Sequence, residues 1–116
     1  MTSLYHLTEP ATWDAAVAAG EYRQSTRGRT LEQQGFIHAS LLHQVRTVGG
    51  FIYADTDDLV LLEIDPDRLT ARVVFEPGEP GATEEFPHIY GPVPVDAVVA
   101  VHPVPRDDTG ELVLPE

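Results

Sequence analysis

The strongest constraint on the fold is a run of apolar residues in the middle of the chain. Residues 59 to 64 have the sequence LVLLEI, in which Glu63 is the single polar residue. A run of this length and composition, bounded by polar residues, predicts a strand that is covered on both faces. The length of 116 residues allows one domain around such a strand. We therefore predict a single domain that spans residues 1–116.

Two main helices are predicted in the first half of the chain. For the first, Thr8 is the expected cap, Pro10 suits the first turn and Gly20 is the expected end. For the second, Ser40 is the expected cap, and a helical stripe of apolar residues follows it. The pair Gly49-Gly50 interrupts this stripe and weakens the predicted helix.

Several shorter segments predict strands and loops around these helices. Residues 21–28 are polar and predict a loop, as do the glycines and prolines of residues 77–82. Residues 85–94 contain three prolines, which lack the N–H that a sheet interior requires, so we expect an irregular segment or an edge strand. The other predicted strands are residues 3–7, 36–40, 71–76 and 96–104. Together these elements predict an α+β domain with a twisted sheet.

The charge of the chain limits its partners. Nineteen acidic residues face seven arginines, there is no lysine, and the net charge is -12. An extended nucleic-acid partner is not expected, because binding to a phosphate backbone needs clustered cations. Cysteine is absent, no apolar run approaches the roughly 20 residues that span a bilayer, and the N-terminus does not resemble a signal peptide. We therefore expect a cytoplasmic protein without a membrane partner.

Three of the five histidines have surroundings that suggest a site. His6 in YHLT and His38 in IHAS each lie at the end of a predicted strand, just before a predicted helix. Adjacent strands would place both rings near two helix N-termini, where anions bind well. His88 lies among prolines, with Phe86 and Tyr90 beside it. Each histidine taken alone is equally consistent with a half-buried ring bonded to the backbone.

The residues leave several kinds of chemistry open. Three histidines can bind zinc, and Glu84 or Glu85 with His88 would suit acid–base hydrolysis. A serine triad is poorly supported because Ser40 lacks the G-x-S-x-G turn. The cluster of Arg23, Arg27 and Arg29 is either a solvated loop or a lid whose guanidinium groups pair with a phosphate.

The blocks LYHLT, GFIHAS and FPHIYGP, in this order, resemble the small bacterial family known as domain of unknown function 952. The resemblance covers residues 4 to about 104 and leaves 105–116 as a tail or a short edge strand. YHLT, IHAS and LVLLEIDPDRL also resemble, more distantly, the catalytic half of the tRNA 2'-phosphotransferases. Those enzymes have the ADP-ribosyltransferase-like fold, which holds NAD in the cleft of a split β-sheet. The resemblance implies this fold and NAD as the cofactor.

The same resemblance implies roles for individual residues. His6 and Ser40 would position the ribose, and His38 would bind phosphate or act as an acid–base group. Together with the arginine loop and the hydroxyl of Thr8, the resemblance gives the expected NAD-binding residues, which are His6, Thr8, Tyr22, Arg27, Arg29, His38, Ser40 and Tyr90. The candidate catalytic residues are His6, His38, Glu85 and His88. Tyr22 corresponds to an aromatic residue near the nicotinamide.

Two departures from the phosphotransferases affect the expected function. Leu7 occupies the position of a glycine, and the RNA-binding domain of those enzymes has no counterpart in this sequence. We therefore expect a protein that binds NAD or ADP-ribose and transfers an ADP-ribosyl or phosphoryl group to a small molecule. A nucleotide-binding module without turnover and a histidine metal-site hydrolase stay open as alternatives.

Overall fold

The computed structural model describes residues 2–56, 58–78 and 81–115. Within these ranges the strands are β1 (Leu4–Thr8), β2 (Glu21–Tyr22), β3 (Gln24–Thr26), β4 (Arg29–Thr30), β5 (Ile37–His38), β6 (Val60–Ile64), β7 (Val73–Pro77), β8 (Glu85–Ile89), β9 (Val93–Pro94) and β10 (Val98–Pro103). The helices are α1 (Pro10–Ala19), α2 (Leu31–Gln34) and α3 (Val45–Ile52), and 3-10 turns lie at Leu42–Gln44, Pro66–Arg68 and Val95–Ala97. The fold is of the α+β class, as the sequence predicts.

The apolar run forms β6, the central strand of an antiparallel sheet with the order β1-β6-β10. Side chains on both of its faces are buried. Leu62 and Ile64 pack into one apolar cluster, and Leu61 packs into the other. Burying one such side chain stabilises a protein by about 1.5–3 kcal/mol. The prediction of a strand covered on both faces is confirmed, and β6 anchors both clusters.

A second antiparallel sheet has the order β5-β8-β7 and meets the first sheet at one bridge. The backbone N–H of Tyr5 donates to the carbonyl of Ser40 at 2.8 Å, and the N–H of Ser40 donates to the carbonyl of Tyr5 at 2.7 Å. Beyond this bridge β1 pairs with β6, and β5 pairs with β8. β1 and the chain at the end of β5 therefore approach each other at this bridge, and the two sheets diverge from it.

The strand β8 corrects the prediction for residues 85–94. It is the central strand of its sheet, although Pro87 lies in its middle. The carbonyl of Pro87 accepts a hydrogen bond from the N–H of Ala39 at 3.0 Å, so the proline nitrogen faces the same side. Ala39 is the first residue after β5, where the chain turns towards β1. Proline is tolerated there because the missing donor falls at the end of the pairing.

Residues 21–28 are also corrected, because they contain β2 and β3 rather than a loop. β2 pairs with β9, and β3 pairs with β4. Gly28 has a φ of 79° and supplies the left-handed turn between β3 and β4. Strands of two or three mostly polar residues are too short for hydrophobic periodicity to detect.

The two predicted caps belong to extended chain instead. Thr8 is the last residue of β1, and α1 begins with Pro10 as predicted. Ser40 forms the bridge to β1, and the following turn starts at Leu41, whose N–H donates to the side chain of Gln44 at 2.9 Å. Both hydroxyl residues precede the observed caps by one residue, so their side chains are free for other contacts.

The loop predicted at residues 77–82 lies only partly in the described chain. Pro77 is the last residue of β7, while residues 79 and 80 are outside the described ranges.

Among the helices that are described, none combines the length and the apolar character that crossing a membrane requires.

The helix α3 continues through Gly49 and Gly50 instead of ending there. Gly49 is buried, and a Cβ atom at this position would lie 2.0 Å from Cδ1 of Leu112 and 3.2 Å from Cδ2 of Leu7. Gly50 is exposed, and a Cβ atom there would meet nothing within 4 Å. The first glycine therefore lets α3 approach β1 and the C-terminal segment closely, which is a packing role that periodicity does not show.

This difference predicts opposite effects for two neighbouring substitutions. Gly50→Ala is expected to raise the free energy of unfolding by about 0.5–1 kcal/mol, because alanine loses less backbone entropy in a helix. Gly49→Ala is expected to be less stable than Gly50→Ala by about 1–3 kcal/mol, because its methyl group overpacks the cluster around Leu112. Urea denaturation of both variants measures the difference, and equal stabilities would contradict the packing role of Gly49.

Candidate functional site

A cavity of about 440 Å³ opens where the two sheets separate, and we call it the cleft. Its walls come from β1, from β5 and the residues after it, from α3, from the end of β3 and from the segment that leads into β8. The polar lining residues are His6, Thr26, His38, Ser40, Thr47 and Glu84. The larger apolar lining residues are Leu7, Val48, Ile52 and Phe86. The cleft therefore combines an apolar wall with a few convergent polar groups, which is typical of small-molecule sites.

His6 joins the two sheets through its side chain. The ring is buried, and its Nδ1 lies 2.5 Å from the carbonyl oxygen of His38. A carbonyl can only accept, so Nδ1 carries the hydrogen and donates it. In the described chain, β1 pairs with the segment after β5 at Tyr5 and Ser40, and the bond from His6 satisfies the carbonyl oxygen of His38 beside that bridge.

The other nitrogen of His6 belongs to a buried series of hydroxyl groups. Nε2 lies 2.8 Å from the phenol oxygen of Tyr22, which lies 2.9 Å from the hydroxyl of Thr8. Burial lowers the pKa of His6 to about 4, so the ring is neutral at pH 7 and Nε2 accepts. Tyr22 then donates to His6, and Thr8 donates to Tyr22. Burial raises the pKa of Tyr22, so the phenol keeps its proton.

His38 is the partly exposed imidazole of the cleft. Its ring lies edge-on to Phe36 and to His88, with centroids 4.8 Å and 4.9 Å away. Burial lowers the pKa of His38 to about 4, and the neighbouring His88 acts in the same direction. At pH 7 the ring is therefore neutral and offers the cleft a hydrogen-bond donor or a proton acceptor.

His88 lies beside His38 on the next strand but does not line the cleft. Its ring is 2% exposed and stacks on Phe36, with centroids 4.0 Å apart. The Nδ1 of His88 donates to Oε1 of Glu76 at 2.8 Å, and the phenol of Tyr90 donates to the same oxygen at 2.5 Å. These two bonds, that of Tyr90 first, lower the pKa of Glu76. His88 and Tyr90 therefore belong to a polar cluster on the second sheet, which touches the cleft through His38.

The structure places Glu84, an exposed residue, among those that line the cleft, whereas the predicted Glu85 is not among the described lining residues. The buried side chain of Gln44 donates to Oε2 of Glu84 at 3.1 Å and to the backbone carbonyl of Glu85 at 2.8 Å. Its amide oxygen accepts from the N–H of Leu41. Gln44 therefore fixes the segment before β8 against the turn before α3, while the side chain of Glu85 is exposed.

The three arginines of the predicted lid contact side chains of the protein itself, and two of them, Arg23 and Arg27, pair with acidic residues. Arg23 pairs with Glu21 and Glu32, and Arg29 contacts the side chain of Gln34 at 3.4 Å. Neither of them is among the described residues that line the cleft.

Arg27 lies at one end of the cleft, next to Thr26. Its Nη1 donates to the carbonyl of Ile52 at 3.0 Å and to the carboxylate of Asp55 at 2.5 Å. Thr26 and Ile52 both line the cleft, so Arg27 marks its rim.

Among the described residues that line the cleft, Glu84 is the single charged side chain at pH 7, because both imidazoles are neutral.

Within the described ranges, no three histidine, aspartate or glutamate side chains are grouped as a metal site would need.

The structure brings together only part of the predicted site. His6, His38 and Ser40 line one cleft, as the paired motifs predict. Thr8 and Tyr22 support His6 from behind, and Tyr22 is only 1% exposed, so its ring belongs to the core. Arg29, Glu85 and Tyr90 lie outside the described lining.

Sequence reasoning missed Thr26, Thr47, Gln44 and Glu76. The alternation of Phe86, His88 and Tyr90 along β8 is a signal that these three share one face. The register that places Val74 opposite His88, with Glu76 two residues further along β7, has no such signal in the sequence.

Comparison with known proteins identifies a matching family and similar solved structures. The family model described as a protein of unknown function, DUF952, matches residues 7–101. The crystal structure of protein CC0527 from Caulobacter crescentus is 30% identical, with a TM-score of 0.81 and coverage of 97% of this chain and 95% of that chain. The solution NMR structure of the same protein is 30% identical, with a TM-score of 0.73 and coverage of 96% and 91%. No curated protein matches the chain significantly.

The buried, neutral His6 predicts a loss of stability in mild acid. Its pKa is 6.5 when unfolded and about 4 when folded, so between these values the unfolded chain binds the proton first. Stability is therefore complete above pH 6.5 and falls as the pH drops towards 4. This single group accounts for about 2 kcal/mol between pH 7 and pH 5.

The comparison of His6→Gln with His43→Gln measures this contribution. Glutamine can donate to the carbonyl of His38 but does not titrate, so His6→Gln is expected to lose about 2 kcal/mol less between pH 7 and pH 5. His43 is exposed and outside the network, so His43→Gln is expected to keep the pH dependence of the parent. Urea denaturation at both pH values decides, and identical pH dependence for the two variants would overturn the assignment of His6.

Proposed function

This chain belongs to the DUF952 family of proteins of unknown function, and we propose that its cleft binds NAD or a related ADP-ribose compound. The proposal includes an ADP-ribosyltransferase-like activity towards a small molecule. The observation that carries it is the convergence of His6, His38 and Ser40, from two facing strands, on one cleft at the gap between two sheets.

The size and lining of the cleft support a ligand with ribose and an aromatic ring. A volume of about 440 Å³ lies in the range of small-molecule sites. His38, Ser40 and the hydroxyls of Thr26 and Thr47 can exchange hydrogen bonds with sugar hydroxyls. Phe86 offers an aromatic side chain beside them.

The charges favour one orientation of such a ligand. Neutral imidazoles and the carboxylate of Glu84 suit the ribose and the positively charged nicotinamide ring of NAD. They do not suit a pyrophosphate, which is anionic. We therefore place the nicotinamide ribose inside the cleft and the phosphates at the rim, where Arg27 would exchange Asp55 for a phosphate oxygen.

In the proposed reaction the bond between the ribose C1' and the nicotinamide nitrogen breaks, and nicotinamide leaves with the electron pair. The ribosyl cation that develops is stabilised by the carboxylate of Glu84. A hydroxyl or amine of the acceptor forms the new bond to C1', and its proton passes to His38. His6 acts by position, because both of its nitrogens are engaged within the protein.

A second candidate is a binding module that uses the same cleft without turnover. The observation that favours it is the internal bonding of His6 to His38 and Tyr22, which leaves His38 as the one imidazole available to a ligand among the described lining residues. The two candidates differ in one measurable outcome, which is the release of nicotinamide during incubation with NAD.

Calorimetric titration with NAD and ADP-ribose tests the proposed ligand. The parent protein and His43→Ala are expected to bind both compounds, and His38→Ala is expected to bind at least tenfold more weakly because a cleft hydrogen bond is lost. Chromatographic detection of nicotinamide then separates enzyme from binding module. If neither NAD nor ADP-ribose gives a heat of binding at millimolar concentration, the proposed function is rejected.

The placement of the phosphates predicts a selective effect at the rim. Arg27→Gln is expected to weaken the binding of NAD by about tenfold, because a charge-assisted bond to phosphate is lost. Binding of nicotinamide riboside, which lacks the phosphates, is expected to be unchanged. Competition titrations with both compounds measure this, and an equal loss for both would show that Arg27 supports the fold of the cleft rather than a phosphate.

A further inference from the structure

The Nε2 atom of His88 is buried and has no hydrogen-bond partner in the structure. Its ring is 2% exposed, so water does not reach it freely. A buried polar atom left without a partner costs about 1–3 kcal/mol. Such an atom calls for an explanation, and a catalytic role is one of the recognised ones.

The contacts of His88 fix which nitrogen is free and how the ring stands. Nδ1 must carry a hydrogen, because the carboxylate of Glu76 accepts from it at 2.8 Å. Phe36 stacks on the ring with an angle of 17° between the planes, which holds its orientation. In the neutral form of the ring the lone pair is therefore on Nε2, which is an acceptor without a donor.

The neighbour of His88 that can supply this donor is His38. The two residues are directly opposite in the pairing of β5 with β8, and their rings lie at 84° to each other with centroids 4.9 Å apart. Phe36 has no donor, and Glu76 already accepts from the other side of the ring. Of these three neighbours of His88, His38 is also the one that lines the cleft.

We propose that Glu76, His88 and His38 form a relay that holds one proton for the cleft. The use of this proton in the reaction rests on the proposed function. The proton that leaves the acceptor hydroxyl binds one nitrogen of His38. The N–H on the other nitrogen of His38 then turns to Nε2 of His88 and donates to it. Glu76 stays a carboxylate throughout and balances the single positive charge.

The surrounding charges limit the relay to one proton. Glu76 of β7 faces His88, and Arg72, the residue before β7, lies over the ring of Tyr90 at 4.9 Å. The buried His6 of β1 contacts the backbone carbonyl of His38. Glu84 lines the same cleft as His38. Two positive imidazoles 4.9 Å apart would repel each other. One carboxylate in direct contact balances one of them, so the relay holds a single proton.

NMR of the histidine ring nitrogens in the ligand-free protein tests the relay. The parent is expected to show His88 as the neutral tautomer with its hydrogen on Nδ1, which is the rarer form in free histidine. The ring signals of His38 and His88 are expected to move together in one pH titration that takes up one proton.

The variants Glu76→Gln and Glu85→Gln provide the matched comparison, because both remove one negative charge next to β8 or within it. Glu76→Gln is expected to lower the proton affinity of His38 by tenfold or more. Glu85→Gln, whose side chain is exposed, is expected to leave it unchanged. An unchanged titration of His38 in Glu76→Gln would overturn the relay.

If Glu76→Gln does not fold, the tautomer of His88 in the parent protein still tests the relay. A hydrogen on Nε2 of His88 would by itself contradict it. No ligand is present in these experiments. A failure to bind NAD would therefore reject the proposed function without contradicting the relay. Independent titration of the two rings would reject the relay without contradicting the proposed function.

Discussion

The hydrogen bond from His6 to the carbonyl of His38 is the interaction on which the rest of the site depends. In the described part of the chain, the two sheets are joined by backbone pairing at the bridge between Tyr5 and Ser40, and their strands separate beyond it. The buried imidazole spans this separation and satisfies a carbonyl that would otherwise face the gap. The gap stays open beyond the ring and forms the cleft. One side chain thus joins the two sheets beside the bridge and forms a wall of the proposed site, so a ligand bound there would be coupled to stability through His6.

The charges of this acidic chain are arranged so that the cleft itself is nearly neutral. Glu76 is held by donors from His88 and Tyr90, and Glu84 is held by Gln44. Arg27, at the rim of the cleft, is bound to the carboxylate of Asp55, which is not among the described lining residues. The imidazoles of the cleft are uncharged at pH 7 because they are buried. This arrangement favours a ligand that enters with a neutral or positive group and keeps its phosphates near the solvent.

The sequence predicts the parts of this structure that depend on local pattern. The apolar run of residues 59–64 predicts the doubly covered strand, and the repeated motif YHLT and IHAS predicts that His6 and His38 meet. The parts it does not predict depend on pairing over long distances. Pro87 is compatible with a central strand only because β5 ends beside it, and Glu76 reaches His88 only through the register of β7 with β8. Neither fact is encoded in the spacing or composition of a single segment.

The central claim is that a nucleotide-like ligand lies between β1 and β5, in the gap that His6 spans. The most direct measurement is the mapping of backbone amide shifts by NMR while ADP-ribose is added to the labelled protein. This placement of the ligand predicts that the largest changes cluster at the cleft, at Thr26, His38, Ser40 and Thr47, with little change at the exposed face of α1. Changes centred on α1, or spread evenly over the surface, would contradict it.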